Sequence, residues 1–480
     1  MLESFFDPKS IILFGVSRNP DKSGHYMLLN VREFEPDNLY IIHPKAESIS
    51  DIKCIKRIDE INEPARSNID LAIISLPVKY VADTVCECVM HGVRCILIQS
   101  GNIGNSEDKI TQKKIQITNI LNEYEEKNGY RTRIIGPNSL GIFNNINGFF
   151  TGIMDFKKKP ILHQNKNNLS IVAQTGLVVS GYFVDLFESQ DVGISQILAI
   201  GNKFDVDECD VLEYLISDPY TKAIAFYLEG LNNGRRFYEL CKDAIFNHHK
   251  IIILLNSGRS TLGQKAIQSH TNSLAANSKL LDGMSKQLGI IQVNTFPELI
   301  LAGKLATNIS LPKGNNIGLI SISGAGCVLS ADFAEIFGFE VPKLTDEMIT
   351  ELKTIFPPWA EIDHPIDMWA SIEQIGTKAY NKVIDVFLNS KLFDIIIFCS
   401  IAGRRTILDY ESLRRLVKNH PDIPVLLQLF GGFRELKTNF SEELERPNKH
   451  DCYLPIVYNL ESTFSILSKL TYLSDLKKRI

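Results

Sequence analysis

The chain has 480 residues, of which 44% are hydrophobic and 22% are charged, and its formal net charge is −5. At roughly 150 residues per domain, this length predicts about three domains with apolar material for several cores, which excludes a mainly disordered chain. The slightly acidic balance argues against a nucleic-acid-binding protein, which usually carries a strongly basic domain. No run approaches the ~18 apolar residues of a membrane-spanning helix, and the first residues lack the pattern of a signal peptide.

The nine cysteines are scattered along the chain without a regular framework. Cys86, Cys88 and Cys95 admit a metal cluster, but residues 81–91 have a helical pattern, and residues two apart on a helix do not face each other. We therefore expect ordinary thiols rather than a metal site, in a reducing compartment, the cytoplasm.

Residues 1 to about 150 alternate short apolar strands with helical patterns. This alternation favours a parallel, doubly wound sheet, and the uninterrupted apolar strands favour a sheet covered on both faces. Strands are predicted at residues 10–15, 38–42, 71–76 and 95–99, and helices at about 24–34, 78–91 and 107–128.

The same order of strand, small turn and helix returns twice, after Pro160 and after residues 311–314. The connecting stretches near residues 150–168 and 307–315 are the natural domain boundaries. The sequence thus predicts an α/β chain of three doubly wound domains, residues 1–150, 160–310 and 311–480. Further strands are predicted at residues 169–173, 197–201, 223–229, 250–255, 316–321, 393–400 and 424–429, and helices at 177–189 and 327–337.

The turn after the first strand has the composition of a phosphate cradle. It combines Gly15, Ser17 and Gly24 where a helix begins, although any tight turn would favour the same glycines and the G-x-G-x-x-G fingerprint is absent. Lys45 follows the second strand, where a ribose would lie, and the acidic partner of a free 2′-hydroxyl is missing there. A lysine suits a phosphorylated ribose, so the pattern favours coenzyme A over NAD.

Other turns also follow predicted strands, where ligands bind in open α/β sheets. Pro77 follows one strand, and residues 135–141, with Asn138, form a compact loop that an ordinary structural turn would explain equally well. A polar turn of Gln174, Thr175 and Gly176 opens a predicted helix. Its N–H groups would bind a phosphate or a carboxylate, or would simply cap the helix.

Two residues are candidates for the chemistry itself. His270 lies in a stretch of small polar residues, 268–276, that is predicted to be a flexible loop. A histidine there could swing and act as a covalent nucleophile, although the loop alone favours an ordinary solvated side chain. Glu229 ends a predicted strand, so it either points into the ligand crevice and holds a histidine tautomer, or is an exposed strand end.

Two more features complete the pattern. Arg259 follows the predicted strand 250–255, where its guanidinium could bind an anion. The turn at residues 321–327 repeats the strand, turn and helix design, and His364 begins a loop that we interpret as architectural.

In this order, the motifs resemble those of the NDP-forming acyl-CoA synthetases, the superfamily of succinyl-CoA synthetase, and closely the α-type part of ADP-forming acetate–CoA ligases. The resemblance covers nearly the whole chain. It implies an N-terminal Rossmann-like CoA-binding domain followed by two flavodoxin-like domains of the succinyl-CoA synthetase type. It rests on residues 15–18, 135–141, 173–177, 201–202, 227–230, 269–276, 323–326 and 364–367.

The resemblance implies that acyl-CoA, ADP and phosphate are converted to acid, CoA and ATP through an acyl phosphate and a phosphohistidine. His270 would carry the phosphoryl group and Glu229 would position it. The turn of Gln174, Thr175 and Gly176 would receive the phosphoryl group. Around CoA the resemblance places Gly15, Ser17, Arg18, Lys22, Lys45, Pro77 and Asn138.

The resemblance also implies a partner, because no ATP-grasp module, which binds ADP and Mg²⁺ in this family, is recognisable in the sequence. A separate β subunit in an αβ-type hetero-oligomer would supply it. Asn272 and Ala276 stand where the family loop usually has glycine, and residues 99–105 lack the usual aromatic and acidic residues. An inactive CoA-binding or regulatory paralog, and a nucleotide-independent acyl or carbamoyl transferase on the same scaffold, stay open as alternatives.

Overall fold

The computed structural model describes residues 2–104, 106–153, 168–176, 192–271, 278–403, 408–432 and 454–479. Three sheets of largely parallel strands organise these residues, with helices packed on both faces. This confirms the predicted α/β class, and all the predicted strands are present with small differences at their ends. The predicted helix at 177–189 lies outside the described residues. None of the described helices is both long and apolar enough to cross a membrane.

The first sheet has the order β3-β4-β2-β1-β5-β6-β7 and is parallel except for the short β3–β4 pair. Its strands carry Ile and Leu on both faces, so helices must cover both. The strands are β1 (Ser10–Phe14), β2 (Asn38–Ile42), β3 (Ser48–Ile49), β4 (Ile52–Ile55), β5 (Leu71–Ile74), β6 (Cys95–Ile98) and β7 (Arg133–Ile135). The helices are α1 (Glu3–Phe6), α2 (Ser23–Glu33), α3 (Val78–Met90) and α4 (Glu107–Asn128).

The second sheet has the order β14-β13-β12-β10-β11-β8-β9. Its strands are β8 (Ile142–Asn144), β9 (Phe149–Phe150), β10 (Leu169–Ala173), β11 (Ile194–Ala199), β12 (Ala223–Leu228), β13 (Ile251–Asn256) and β14 (Ile291–Val293). Its helices are α5 (Glu208–Ser217), α6 (Gly234–Phe246), α7 (Thr261–Thr271), α8 (Ser278–Leu288) and α9 (Phe296–Asn308).

One part of the second sheet differs from the sequence interpretation. The strands β8 and β9 form an antiparallel hairpin that pairs with β11, although these residues precede residue 150. Asn144 at the end of β8 donates from Nδ2 to the carbonyl oxygen of Phe6 at 3.0 Å. The hairpin therefore belongs to the second sheet and also contacts the start of the chain in the first domain.

The third sheet is parallel throughout, in the order β16-β15-β17-β18-β19. Its strands are β15 (Ile317–Ser321), β16 (Ile366–Asp367), β17 (Ile395–Ala402), β18 (Val425–Gly432) and β19 (Ile456–Val457). Its helices are α10 (Gly324–Ile336), α11 (Asp346–Leu352), α12 (Trp369–Ile375), α13 (Lys378–Asn389), α14 (Tyr410–Lys418) and α15 (Leu460–Arg479).

The helix α15 joins the third domain to the second. Phe464 packs beside Phe333 of α10 with ring centroids 6.3 Å apart. From the same helix, Lys469 donates from Nζ to the carbonyl oxygen of Gln292 in β14 at 2.8 Å. One helix thus contacts elements of both sheets, which makes this boundary a packed interface rather than a free linker.

His364 is part of the core of the third domain. Its Nε2 accepts from the backbone N–H of Leu319 at 2.9 Å, and its Nδ1 donates to the carbonyl oxygen of Pro342 at 2.7 Å. The ring packs against Phe387 and Phe393 with centroids 5.7 and 5.2 Å away. Burial lowers the pKa of His364 below the ordinary histidine value, so the neutral ring is the folded form. These contacts support the interpretation of this loop as architectural.

We predict that His364→Gln reduces the loss of thermal stability at acidic pH. An unfolded histidine gains its proton near pH 6.5, whereas the buried ring stays neutral. The neutral His364 ring therefore contributes fully to the free energy of unfolding above about pH 6.5. This contribution is lost as the pH falls below that value, by no more than about 1.4 kcal/mol per pH unit. The variant should have a lower Tm than the unmodified chain at pH 8, but a smaller loss of Tm between pH 7.5 and 5.5. Thermal scans beside the exposed-site control His248→Gln check this, and equal acid losses in all three proteins would contradict it.

Candidate functional site

The turn after β1 is compressed so tightly that glycine is required twice. Gly15 has a φ of +90°, and a Cβ there would lie 2.0 Å from the carbonyl oxygen of Ser75. A Cβ on Gly24, in the first turn of α2, would lie 2.3 Å from the carbonyl oxygen of Gly15. The N-cap residue Lys22 contributes no capping side-chain hydrogen bond, so the positive end of the helix dipole is open to an anion.

A histidine follows β2 near the first turn. Burial lowers the pKa of His43, and the charges of Arg18 and Lys45 lower it further. His43 Nδ1 accepts from the backbone N–H groups of Lys45 and Ala46 at 3.1 and 2.8 Å, so the neutral ring carries its proton on Nε2. The prediction named Arg18 and Lys45 as CoA residues but gave no role to this ring, because its orientation depends on the local turn after β2.

The ends of β5, β6 and β7 bring Pro77 and Asn138 to one edge. Pro77 is the N-cap of α3, and the preceding Leu76 exchanges two hydrogen bonds with the hydroxyl of Ser100, at 3.0 and 2.7 Å. Asn138 has a φ of +63° and donates its backbone N–H to the carbonyl oxygen of Ser100 at 2.8 Å. Ser100 therefore connects the two predicted CoA residues across the carboxyl edge of the first sheet.

The loop that carries Asn138 is pressed against the second domain. A Cβ on Gly201 would lie 2.3 Å from the carbonyl oxygen of Pro137, and the same oxygen accepts from Asn202 N–H at 2.8 Å. Leu140 fills the space beside Gly176, where a Cβ would lie 2.3 Å from the leucine Cδ1. The loop 135–141 thus lies directly against the turn predicted to receive a phosphoryl group.

Gln174 and Glu229, predicted from separate strands, are brought together. Gln174 is buried, and its Oε1 accepts from the backbone N–H of Glu229 at 3.0 Å. The Glu229 side chain is 9% exposed, its Oε1 lies 3.5 Å from the hydroxyl of Tyr227, and its Oε2 has no partner among the described residues. A buried acceptor without a partner is costly, and such atoms mark places where a ligand or a moving group is received.

His270 lies within α7 rather than in a loop. The helix runs from Thr261 to Thr271, so the loop predicted from residue 268 begins later in the structure. The side chain of His270 and residues 272–277, which include Asn272 and Ala276, lie outside what the structure describes. The helix follows β13, and β13 pairs with β12 through the register Leu228 to Asn256, so α7 leaves the strand next to the one that ends at Glu229.

Arg259 is held against the end of β14. Its guanidinium donates to Asn294 Oδ1 at 2.5 Å and to the carbonyl oxygen of Val293 at 3.2 Å. The residue is exposed, and its binding of an anion stays a prediction.

The three cysteines considered as metal ligands are buried thiols. Burial raises the pKa of Cys86, Cys88 and Cys95, which disfavours the thiolate that a metal site needs. In the part of the chain that the structure describes, one group has the spacing of metal ligands, Asp207, Glu208 and Cys209. Glu208 is paired with Lys203 at 3.0 Å and Asp207 caps α5, so both carboxylates already have structural partners.

Two family profiles match the chain over the domains that form this site. Residues 9–145 match the profile described as a CoA binding domain, and residues 166–306 match the succinyl-CoA ligase like flavodoxin domain. Together with the geometry above, these matches define the class: a CoA-binding protein of the succinyl-CoA synthetase type.

The relatives specify the family. The chain is 31% identical over 441 residues to subunit alpha of acetate–CoA ligase [ADP-forming] II from Pyrococcus furiosus, covering 90% of this chain and 91% of that one. It is 31% identical over 474 residues to acetate–CoA ligase [ADP-forming] II from Archaeoglobus fulgidus, covering 98% of this chain and 66% of the relative. The chain belongs to the family of ADP-forming acetate–CoA ligases, and it spans slightly less than two thirds of the Archaeoglobus relative.

Solved structures agree with the fold. A protein of Pyrococcus horikoshii OT3 superposes with a TM-score of 0.80 at 27% identity, covering 99% of this chain and 100% of that one. The dinucleotide-forming acetyl-coenzyme A synthetase 1 of Ca. Korarchaeum cryptofilum, in complex with phosphate and ADP, superposes with a TM-score of 0.83 at 22% identity. The superposition with the Korarchaeum structure covers 100% of this chain and 98% of that one, and it supports the fold.

We predict that Gly24→Ala weakens CoA binding at least about tenfold. The new Cβ would meet the Gly15 carbonyl oxygen at 2.3 Å, and overpacking of this kind costs about 1–3 kcal/mol or displaces the turn. Isothermal titration with CoA measures the effect. The control is Gly283→Ala in α8, where no atom lies within 4 Å of the added Cβ, and equal affinities in the two variants would contradict the role of the turn.

Proposed function

We propose that this chain is the α-type subunit of an ADP-forming acyl-CoA synthetase. It catalyses acyl-CoA + ADP + phosphate ⇌ carboxylic acid + CoA + ATP. The observation that carries the proposal is the buried Glu229 carboxylate, which is held through its backbone by Gln174 and keeps Oε2 unpartnered among the described residues. The close approach of Leu140 to Gly176 supports the proposal, because it joins the loop 135–141 to the turn that opens after β10.

The chemistry proceeds in three transfers. Phosphate attacks the thioester carbonyl, the C–S bond breaks, and CoA leaves as the thiol with an acyl phosphate remaining. His270 then attacks phosphorus, the bond from phosphorus to the acyl oxygen breaks, and the carboxylate leaves. Finally ADP takes the phosphoryl group from the histidine and gives ATP.

Different residues of the site bind CoA, bind the phosphoryl group and orient the histidine. Arg18, Lys45 and the open N-terminus of α2 bind the phosphates of CoA, because each offers positive charge or N–H donors to anions. The turn Gln174, Thr175 and Gly176 binds the transferring phosphoryl group. Glu229 accepts the N–H of the His270 ring, fixes the tautomer and stabilises the imidazolium that forms.

A partner completes the enzyme in this proposal. The Pyrococcus furiosus relative that this chain covers almost end to end is itself a subunit alpha. We infer that a separate ATP-grasp β subunit binds ADP and Mg²⁺ in an αβ-type hetero-oligomer. Reduced, buried thiols and a CoA thioester substrate both suit the cytoplasm, where we place the complex.

We predict that the chain, incubated with a panel of acyl-CoA thioesters and phosphate, gains one acid-labile phosphoryl group. His270→Ala should abolish the gain, because the nucleophile is removed, whereas the surface control His248→Ala should retain it. Intact-mass spectrometry measures the adduct. If no acyl-CoA gives an adduct even after a β partner is added, the ligase proposal is wrong and the chain is a non-catalytic CoA-binding relative.

We also predict that Lys45→Met reduces the preference for CoA over 3′-dephospho-CoA. Loss of one charge-assisted contact costs about 1.5–3 kcal/mol, or about ten- to hundredfold in affinity, and only for the ligand with the ribose phosphate. Titration with both ligands measures the ratio. Lys53→Met, an exposed lysine on neighbouring β4, is the control and should keep the ratio of the unmodified chain. An unchanged ratio in the Lys45 variant would place the ribose phosphate elsewhere.

A further inference from the structure

A buried ion pair holds the segment that follows Glu229. Lys203 Nζ lies 3.0 Å from Glu208 Oε2, and the two side chains are 2% and 0% exposed. The ammonium group also donates to the carbonyl oxygen of Gly230 at 2.8 Å, and Glu208 Oε1 accepts from the backbone N–H of Asn232 at 2.9 Å. Each member of the pair therefore holds one end of the turn 230–232.

Stability alone gives little reason for this arrangement. Moving two charges out of water is expensive, and replacing a buried ion pair by apolar side chains of similar volume is often neutral or stabilising. Lys203 also has a φ of +52°, in the left-handed region that non-glycine residues rarely adopt. A buried charge and a left-handed backbone both cost free energy at Lys203. Their presence together indicates that the turn 230–232, which Lys203 helps to hold, has a functional role.

Lys203 and Glu208 hold the backbone on the C-terminal side of Glu229. On the N-terminal side, the Glu229 N–H is already bound by Gln174 Oε1 at 3.0 Å. Of the two carboxylate oxygens of Glu229, Oε2 has no partner in the described structure. The carboxylate is thus held in place through its backbone on both sides and is left with one acceptor atom available.

We propose that Lys203 is a positioning residue for phosphoryl transfer: through Glu208 and the Gly230 carbonyl it fixes the turn 230–232, and so aims the Glu229 carboxylate at the phosphoryl-carrying histidine. The inference rests on the proposed function and names a residue to which that function assigns no role. Lys203 touches neither substrate nor the reacting atoms, and it acts only through Glu229.

The first test measures the turn directly. In Lys203→Met, hydrogen exchange of the peptide that contains residues 229–232 should become faster in the full chain without substrates. The matched control is Lys250→Met. Lys250 is also buried and donates from Nζ to two carbonyl oxygens, those of Asp218 and Thr221, but it lies where β12 and β13 begin, at the opposite edge of the sheet. That variant should leave exchange at 229–232 unchanged.

The second test measures the chemistry. With acetyl-CoA and inorganic phosphate as the probe, Lys203→Met should phosphorylate His270 about 100-fold more slowly, which is the cost of misplacing a reacting group by about 1 Å. The dissociation constant for CoA should not change, because CoA binds at the edge of the first sheet. Lys250→Met, assayed below the melting temperature of both variants, should phosphorylate at the rate of the unmodified chain.

A double variant separates positioning from general damage. If Lys203 acts only through Glu229, Lys203→Met should cause no further loss in a Glu229→Gln background, because residues that act as a unit are not additive. The same fold-loss in both backgrounds, or unchanged exchange at 229–232, would overturn the role of Lys203 while leaving the proposed function intact. Absence of phosphohistidine in the unmodified chain would instead contradict the proposed function, and this role with it.

Discussion

The close approach of two backbones at Gly201 is the constraint on which the site depends. At this point the loop 135–141 and the second sheet leave no room for a side chain, since a Cβ on Gly201 would lie 2.3 Å from the Pro137 carbonyl oxygen. Interiors are close-packed and do not deform gradually, so this contact fixes the carboxyl edges of two sheets against each other. In the proposed function, a thioester bound at one edge could then react with a phosphate bound at the other without a large domain movement.

The same edge of the second sheet leaves polar atoms unsatisfied among the described residues. Glu229 Oε2 has no partner, and Asn256, 3% exposed at the end of β13, has none for either side-chain polar atom. Each such group costs about 1–3 kcal/mol relative to a paired one. At Glu229 and Asn256 this cost falls where two neighbouring strands, β12 and β13, end at the same edge of the sheet.

Local patterns predicted the strands well. The contact of Gln174 with Glu229 was not predicted as such, although it follows from strands that end at a common edge, where their turns meet. They could not predict the hairpin of β8 and β9, because three- and two-residue strands carry too little periodicity. The ring of His43 and the side chain of Lys203 were also missed. Their roles come from contacts with residues far along the chain or from a turn geometry that composition does not specify.

The hairpin of β8 and β9 has a consequence for the order in which the chain is made. The first sheet is complete once β7 has been synthesised, yet the hairpin that follows has its sheet partner, β11, about fifty residues further on. The nascent chain thus carries an unpaired edge, already attached to the first domain, on which the second sheet assembles. A gene cut between the two family profiles would leave this edge attached to Phe6 but would separate it from its sheet. Recombination would therefore be expected to pass these two domains on together.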